Sequence, residues 1–107
     1  LVATGFNYVV QIRERQGDAV RALLPHIREI RRFGAAALDF AALAEGTIDS
    51  YVEQGLKPWD LAAGGLIAQE AGLVLSGLDG PADERLMMAA RPNIAEEYFD
   101  LLRTCGF

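Results

Sequence analysis

Asp49-Ser50-Tyr51-Val52-Glu53-Gln54-Gly55-Leu56-Lys57-Pro58-Trp59-Asp60-Leu61-Ala62-Ala63-Gly64 is the stretch that decides the fold. Residues 47–52 are rich in β-branched and aromatic side chains. Alternation puts Ile48, Ser50 and Val52 on one face and Asp49, Tyr51 and Glu53 on the other. This predicts a strand closed by Gly55. Pro58 suits the first turn of a helix, which runs to about Ala71 with Gly72 placed to end it. That helix is apolar nearly all round, so it is expected to be buried. The unit is strand, short loop, helix, with Glu53 at the strand end and Asp60 in the first helical turn.

The same alternation extends outward in both directions. Ala19, Val20, Leu23, Leu24 and Ile27 fall at helical spacing between Gly17-Asp18 and Pro25, leaving Arg21 and Arg28 to solvent. Ile30-Arg31-Arg32-Phe33 reads as a strand, and Ala35–Glu45 as a helix of good helix formers closed by Gly46. After Gly72, Leu73-Val74-Leu75 and Leu86–Ala90 read as strands separated by the turn Gly77-Leu78-Asp79-Gly80-Pro81. Asn93 is positioned to cap a last helix, with Glu96 completing a capping box and Ile94, Tyr98, Leu101 and Leu102 forming its apolar stripe. The fold class that follows is α/β: a three-layer αβα sandwich with a largely parallel sheet of about five strands.

The chain of 107 residues is the size of one domain, and 51% hydrophobic with 23% charged residues fits a folded protein rather than a disordered one. A net charge of −5 leaves no excess of Lys and Arg to track a phosphate backbone, so nucleic-acid binding is not expected. The single cysteine, Cys105, cannot close an internal disulfide and reads as a bystander, which favours a reducing compartment. No apolar run reaches the ~20 residues a membrane-spanning helix needs, so a cytoplasmic, membrane-free protein is expected. The chain opens on Leu1-Val2-Ala3-Thr4 rather than Met, and an excised domain is the expectation.

Glu53 and Asp60 should both lie at the carboxyl edge of the sheet, where ligands of open α/β sheets bind. Each also has an ordinary explanation: Asp60 as the acidic residue a helix N-terminus favours, Glu53 as a solvated strand end. Gly34-Ala35-Ala36-Ala37 opens a helix with little side-chain bulk, so a ligand could approach its free N–H groups. Close packing against the sheet would require the same residues. Arg28, Arg31 and Arg32 could meet a phosphate or simply face solvent, and His26 has no ligand partner at metal spacing.

The run Trp59-Asp60-Leu61-Ala62-Ala63-Gly64 followed by Glu70-Ala71-Gly72 resembles the C-terminal WDxAAG…EAG signature of the inositol monophosphatase family, which are Mg²⁺-dependent, lithium-sensitive phosphomonoesterases. Thr4-Gly5-Phe6, Arg32–Asp39 and Tyr51-Val52-Glu53 match in the same order, so the similarity spans nearly the whole chain. The resemblance implies the C-terminal domain of a sugar-phosphatase-like fold, covering residues 1–107, and metal-assisted hydrolysis of a phosphate monoester, with inositol monophosphate as the first candidate. It implies Asp60 as a Mg²⁺ ligand and substrate contact, and Glu53 as the acceptor of substrate hydroxyls. Gly34, Ala35 and Ala36 become further substrate contacts. The family's other metal carboxylates lie on GxE and DPxDGT elements of an N-terminal half, and neither motif occurs between Leu1 and Phe107. No complete catalytic set is therefore expected in this chain alone. A homodimer and a small phosphorylated polyol substrate complete what the resemblance implies. Histidinol-phosphate, fructose-bisphosphate and nucleotide 3′-phosphate phosphatases share the pattern, and a non-catalytic binding or regulatory protein could keep it. Two departures stand out: Ala35 where a Ser or Thr is common, and Leu73 where a second glycine usually follows Glu70-Ala71-Gly72.

Overall fold

A computed structural model describes residues 1–107. The strands are β1 (Val2–Thr4), β2 (Ile30–Arg31), β3 (Ser50–Glu53), β4 (Val74–Ser76) and β5 (Met87–Ala90). The helices are α1 (Val10–Leu23), α2 (Ala36–Glu45), α3 (Pro58–Ala71) and α4 (Pro92–Cys105). One five-stranded sheet has the order β2-β1-β3-β5-β4. β1 pairs parallel with β2 and β3, whereas β5 is antiparallel to both β3 and β4. Four strands therefore run one way and β5 alone is reversed, which keeps the sheet largely parallel in direction though mixed in pairing.

Alternation along the central strands divides the core. Val2, Val52, Met88 and Ala90 join Ala19 and Leu23 of α1 and Ala95, Phe99 and Leu102 of α4 on one side of the sheet. Ala3, Tyr51, Met87 and Ala89 join Phe40 and Leu43 of α2 on the other. Helices thus cover both faces, giving the αβα layering. β5 is buried along its whole length, as a strand with neighbours on both sides and helices on both faces must be.

The glycine stops fall where expected: Gly46 and Gly72 take left-handed backbone at the ends of α2 and α3. Other details differ from the sequence reading. α1 begins at Val10, not after Gly17, because Gly17 lies on the solvent side and interrupts no packing. Its entry is fixed by Asn7, whose Oδ1 accepts from the Val9 N–H at 2.9 Å and whose own N–H donates to buried Gln16 Oε1 at 2.9 Å. α4 begins at Pro92 with Arg91 as its cap residue, so Asn93 lies inside the helix and forms no capping box with Glu96. Ile48 precedes β3 and packs on the Tyr51 side rather than with Val52.

The largest departure is α3. It was expected to be buried, yet only Gly64 and Ala68 are, while Trp59 is 70% and Leu66 60% exposed. The helix meets the core through Gly64 and Ala68, with Leu61 and Ile67 partly buried beside them. A Cβ on Gly64 would overlap the Phe40 ring, so the absence of a side chain there lets α3 lie close on α2.

Candidate functional site

The carboxyl ends of β1, β2 and β3 lie at one edge of the sheet, and there the chain carries Gly5, Arg32, Gly34, Ala35, Ala36 and Glu53. These residues, with Phe6, Tyr8 and Asp39, line one cavity of about 130 Å³. Gly34, Ala35, Ala36 and Glu53, chosen from sequence, are therefore brought together. Asp60 does not line this cavity. It stands at the N-terminal turn of α3, close enough for its charge to act on Glu53 and Tyr51.

Each wall has a local cause. Gly34 has φ +92°, a left-handed backbone that admits glycine readily, and it turns the chain from β2 into α2. Ala35 is the extended residue before α2, and no side chain caps that helix. The first N–H groups of α2 are thus left without a side-chain partner beside the cavity. Gly5 is buried, and any side chain there would occupy the space of the Glu53 carboxylate. Glu53 is therefore held over the β1 backbone. Tyr51, on the same face of β3, donates its hydroxyl to Glu53 Oε1 at 2.9 Å. The Tyr51 ring is fixed in turn by an edge contact with Phe40, centroids 5.1 Å apart at 82°.

The electrostatics are those of a partly dehydrated acidic site. Burial pushes the Glu53 carboxyl above its ordinary range, while the Tyr51 hydrogen bond and Arg32 pull the other way. The Tyr51 hydroxyl is pushed up strongly, by burial first and then by the charges of Glu53, Asp39 and Asp60, so it remains a donor. Burial pushes the Asp39 carboxyl up to about 7, with Glu53 adding to the rise and Arg32 opposing it. Asp60 Oδ2 accepts from the Lys57 N–H at 3.2 Å, closing the first turn of α3. This ordinary capping bond leaves Asp60 half-buried at the helix mouth.

Asp39 is the site residue that sequence reasoning passed over. The available signal was a lone carboxylate at the position before Phe40 and four before Leu43, on the inward stripe of an otherwise apolar helix. Arg32 also reaches the cavity, whereas Arg28, Arg31 and His26 do not. Cys105 is a free thiol packed against the α1–α4 core, away from the site.

No group of three or more His, Cys, Asp or Glu side chains is arranged to hold a metal ion. Mg²⁺ requires near-octahedral oxygen coordination and is usually held by one or two carboxylates with waters and substrate phosphate. Asp60 offers one suitable oxygen donor, and the set within this chain does not by itself make a Mg²⁺ site.

A strand-end carboxylate facing a small-residue helix start, with a second carboxylate at the mouth of the next helix, defines an α/β chain whose polar groups gather at the sheet edge where open α/β sheets bind ligands. The chain belongs to the inositol monophosphatase family, whose model matches residues 1–104. It is 42% identical over 105 residues to an inositol-1-monophosphatase of Mycobacterium bovis, covering 96% of this chain and 36% of that protein. A putative Nus factor SuhB of Neisseria meningitidis serogroup B is 38% identical over 106 residues, covering 95% and 41%. Mycobacterium tuberculosis SuhB has a similar solved structure, with a TM-score of 0.84 at 40% identity over 97% of this chain and 41% of that one. The chain thus spans about two fifths of the length of these relatives.

Proposed function

We propose that this chain is the substrate-side domain of a Mg²⁺-dependent phosphatase that cleaves a small polyol phosphate, most simply inositol monophosphate to inositol and phosphate. The observation that carries the reading is the Glu53 carboxylate, oriented by Tyr51 over Gly5 into a cavity walled by Gly34, Ala35 and Ala36. An oriented carboxylate is an acceptor for polyol hydroxyls. The N–H groups at the start of α2 are donors suited to an oxygen-rich ligand. Asp60 would give one oxygen to Mg²⁺, the other carboxylates coming from an N-terminal half beyond this chain. When bound, the ion would activate a water and neutralise charge on the phosphate oxygens. Gly5 and Gly34–Ala36 exclude side-chain bulk, and Glu53 and Tyr51 orient the hydroxyl-bearing ring. A homodimer in the cytoplasm belongs to the same reading, supported by the family and by the lone, unpaired cysteine.

Within the family, histidinol-phosphate, fructose-bisphosphate and nucleotide 3′-phosphate phosphatases are alternatives. A second reading, a binding or regulatory role, has its own support in relatives called Nus factor SuhB. Phosphate release by the full-length protein from these four substrate types, with and without Mg²⁺, tests the proposal. Mg²⁺-dependent turnover, fastest with inositol monophosphate, is expected, and Glu53→Gln should alter discrimination among substrates more than Mg²⁺ dependence. No turnover of any substrate would favour the regulatory reading.

A further inference from the structure

Asp39 is a carboxyl group for which the substrate reading has no task. It is 1% exposed on the inner side of α2, with the Tyr51 hydroxyl near enough to favour its charged form against the effect of burial. Oδ1 is fully enclosed without a partner. Buried carboxylates are ordinarily paired or hydrogen-bonded, because water no longer stabilises their charge. This one instead lines the cavity that holds Glu53.

The groups that face it are few. From β3 come Tyr51 and Glu53, and from the turn before α2 comes Arg32. Asp60 at the start of α3 acts on Tyr51 and Glu53. The Tyr51 hydroxyl has one proton to donate, and it goes to Glu53 Oε1 at 2.9 Å. The ring that carries this hydroxyl cannot swing freely, since Phe40 packs edge-on against it.

We infer that Asp39 is a positioning residue: enclosed beside Tyr51 and Glu53 in one cavity, it leaves the Tyr51 hydroxyl on Glu53 and so keeps Glu53 oriented as the acceptor for a substrate hydroxyl. The inference rests on the reading of Glu53 as the hydroxyl acceptor. Two adjacent buried carboxyl groups do not both ionise readily. Burial raises both carboxyls and Tyr51 opposes the rise on both, but the hydroxyl bonds Glu53 Oε1 at 2.9 Å, and the Asp39 carboxyl is pushed up to about 7. Above that pH Asp39 ionises. Its charge then repels Glu53, competes for the Tyr51 proton, and disfavours a phosphate-bearing anion in the cavity.

The test uses the full-length protein with inositol monophosphate and Mg²⁺. KM and kcat are measured from about pH 6 to about pH 9 for the wild type and for Asp39→Asn, which keeps the shape and cannot ionise. The expected result is a KM that rises several-fold through neutrality in the wild type, with a smaller change in kcat. In Asp39→Asn the KM stays near its acid-side value. A variant whose KM keeps the wild-type pH profile, or whose kcat and KM shift alike at every pH, overturns the inference. A second readout is independent of turnover. Because the folded-state carboxyl lies above its ordinary value of 3.8, the folded chain binds the extra proton. The Asp39 contribution to stability is then fully present below about pH 4 and is lost as the pH rises through 7. Asp39→Asn should flatten that fall, and a slope unchanged by the substitution also overturns the inference. Absence of phosphate release by the wild type, with the stability slope abolished in the variant, would instead defeat the functional reading while leaving Asp39 as the neutral buried acid.

Discussion

The two faces of the sheet solve different problems. On the α1–α4 side Leu23, Val52, Met88, Phe99, Leu102 and Phe107 pack in one layer that encloses only neutral polar groups, Gln16 and the hydroxyls of Ser50 and Tyr98. On the α2–α3 side the apolar layer stops short. Tyr51 carries a hydroxyl into it, Asp39 a carboxyl, and α3 rests on Phe40 through Gly64 with Trp59 and Leu66 turned outward. The contrast teaches where this chain holds dehydrated acids: on the face of α2 and α3, beside the strand ends, where a cavity opens next to them.

Substitutions can break this contrast, the largest effect first. Leu102 is fully buried in the α1–α4 layer, so Leu102→Ala should cost about 2–5 kcal/mol in a denaturant titration. Gly64→Ala forces a methyl group into the Phe40 ring, and overpacking of this kind typically costs about 1–3 kcal/mol. Because Phe40 orients Tyr51, this substitution should also alter substrate KM in the full-length protein. Trp59→Ala removes a ring that is mostly exposed in this chain, and the stability of residues 1–107 should change by less than about 0.5 kcal/mol. A large loss there would mean that the outer face of α3 is packed in a way the described contacts do not include.

Much of this was legible from residue order. Pro58 and Gly72 bound α3, Gly46 ends α2, and the alternation of Tyr51, Val52 and Glu53 puts the tyrosine and the glutamate on one face. The reversal of β5 was not legible, because Met87-Met88-Ala89-Ala90 is apolar at every position and reads the same in either direction. The exposure of α3 was not legible either. An apolar helix reports what it could bury, and which face meets a neighbour here depends on the volume left at Gly64 by Phe40, a contact between residues distant in sequence. In the site, the close residues Gly34, Ala35, Ala36 and Glu53 were found. Asp39 was missed because one acid in a helix is usually solvated, and only the fold turns it inward beside Tyr51.

The most direct test of the central claim, that the polar face serves phosphate-ester chemistry while the apolar face serves stability, is a Mg²⁺ titration of phosphate release by full-length Asp60→Asn, paired with its unfolding free energy. Substitutions of groups that merely support a metal ligand already cost roughly 10–100-fold, so losing a carboxylate bound to the ion should lower turnover at limiting Mg²⁺ by at least roughly 100-fold. Asn can still accept from the Lys57 N–H, and stability should stay within about 1 kcal/mol of the wild type. Near-normal turnover at limiting Mg²⁺, or a loss of activity that merely follows a loss of folding, would contradict the account.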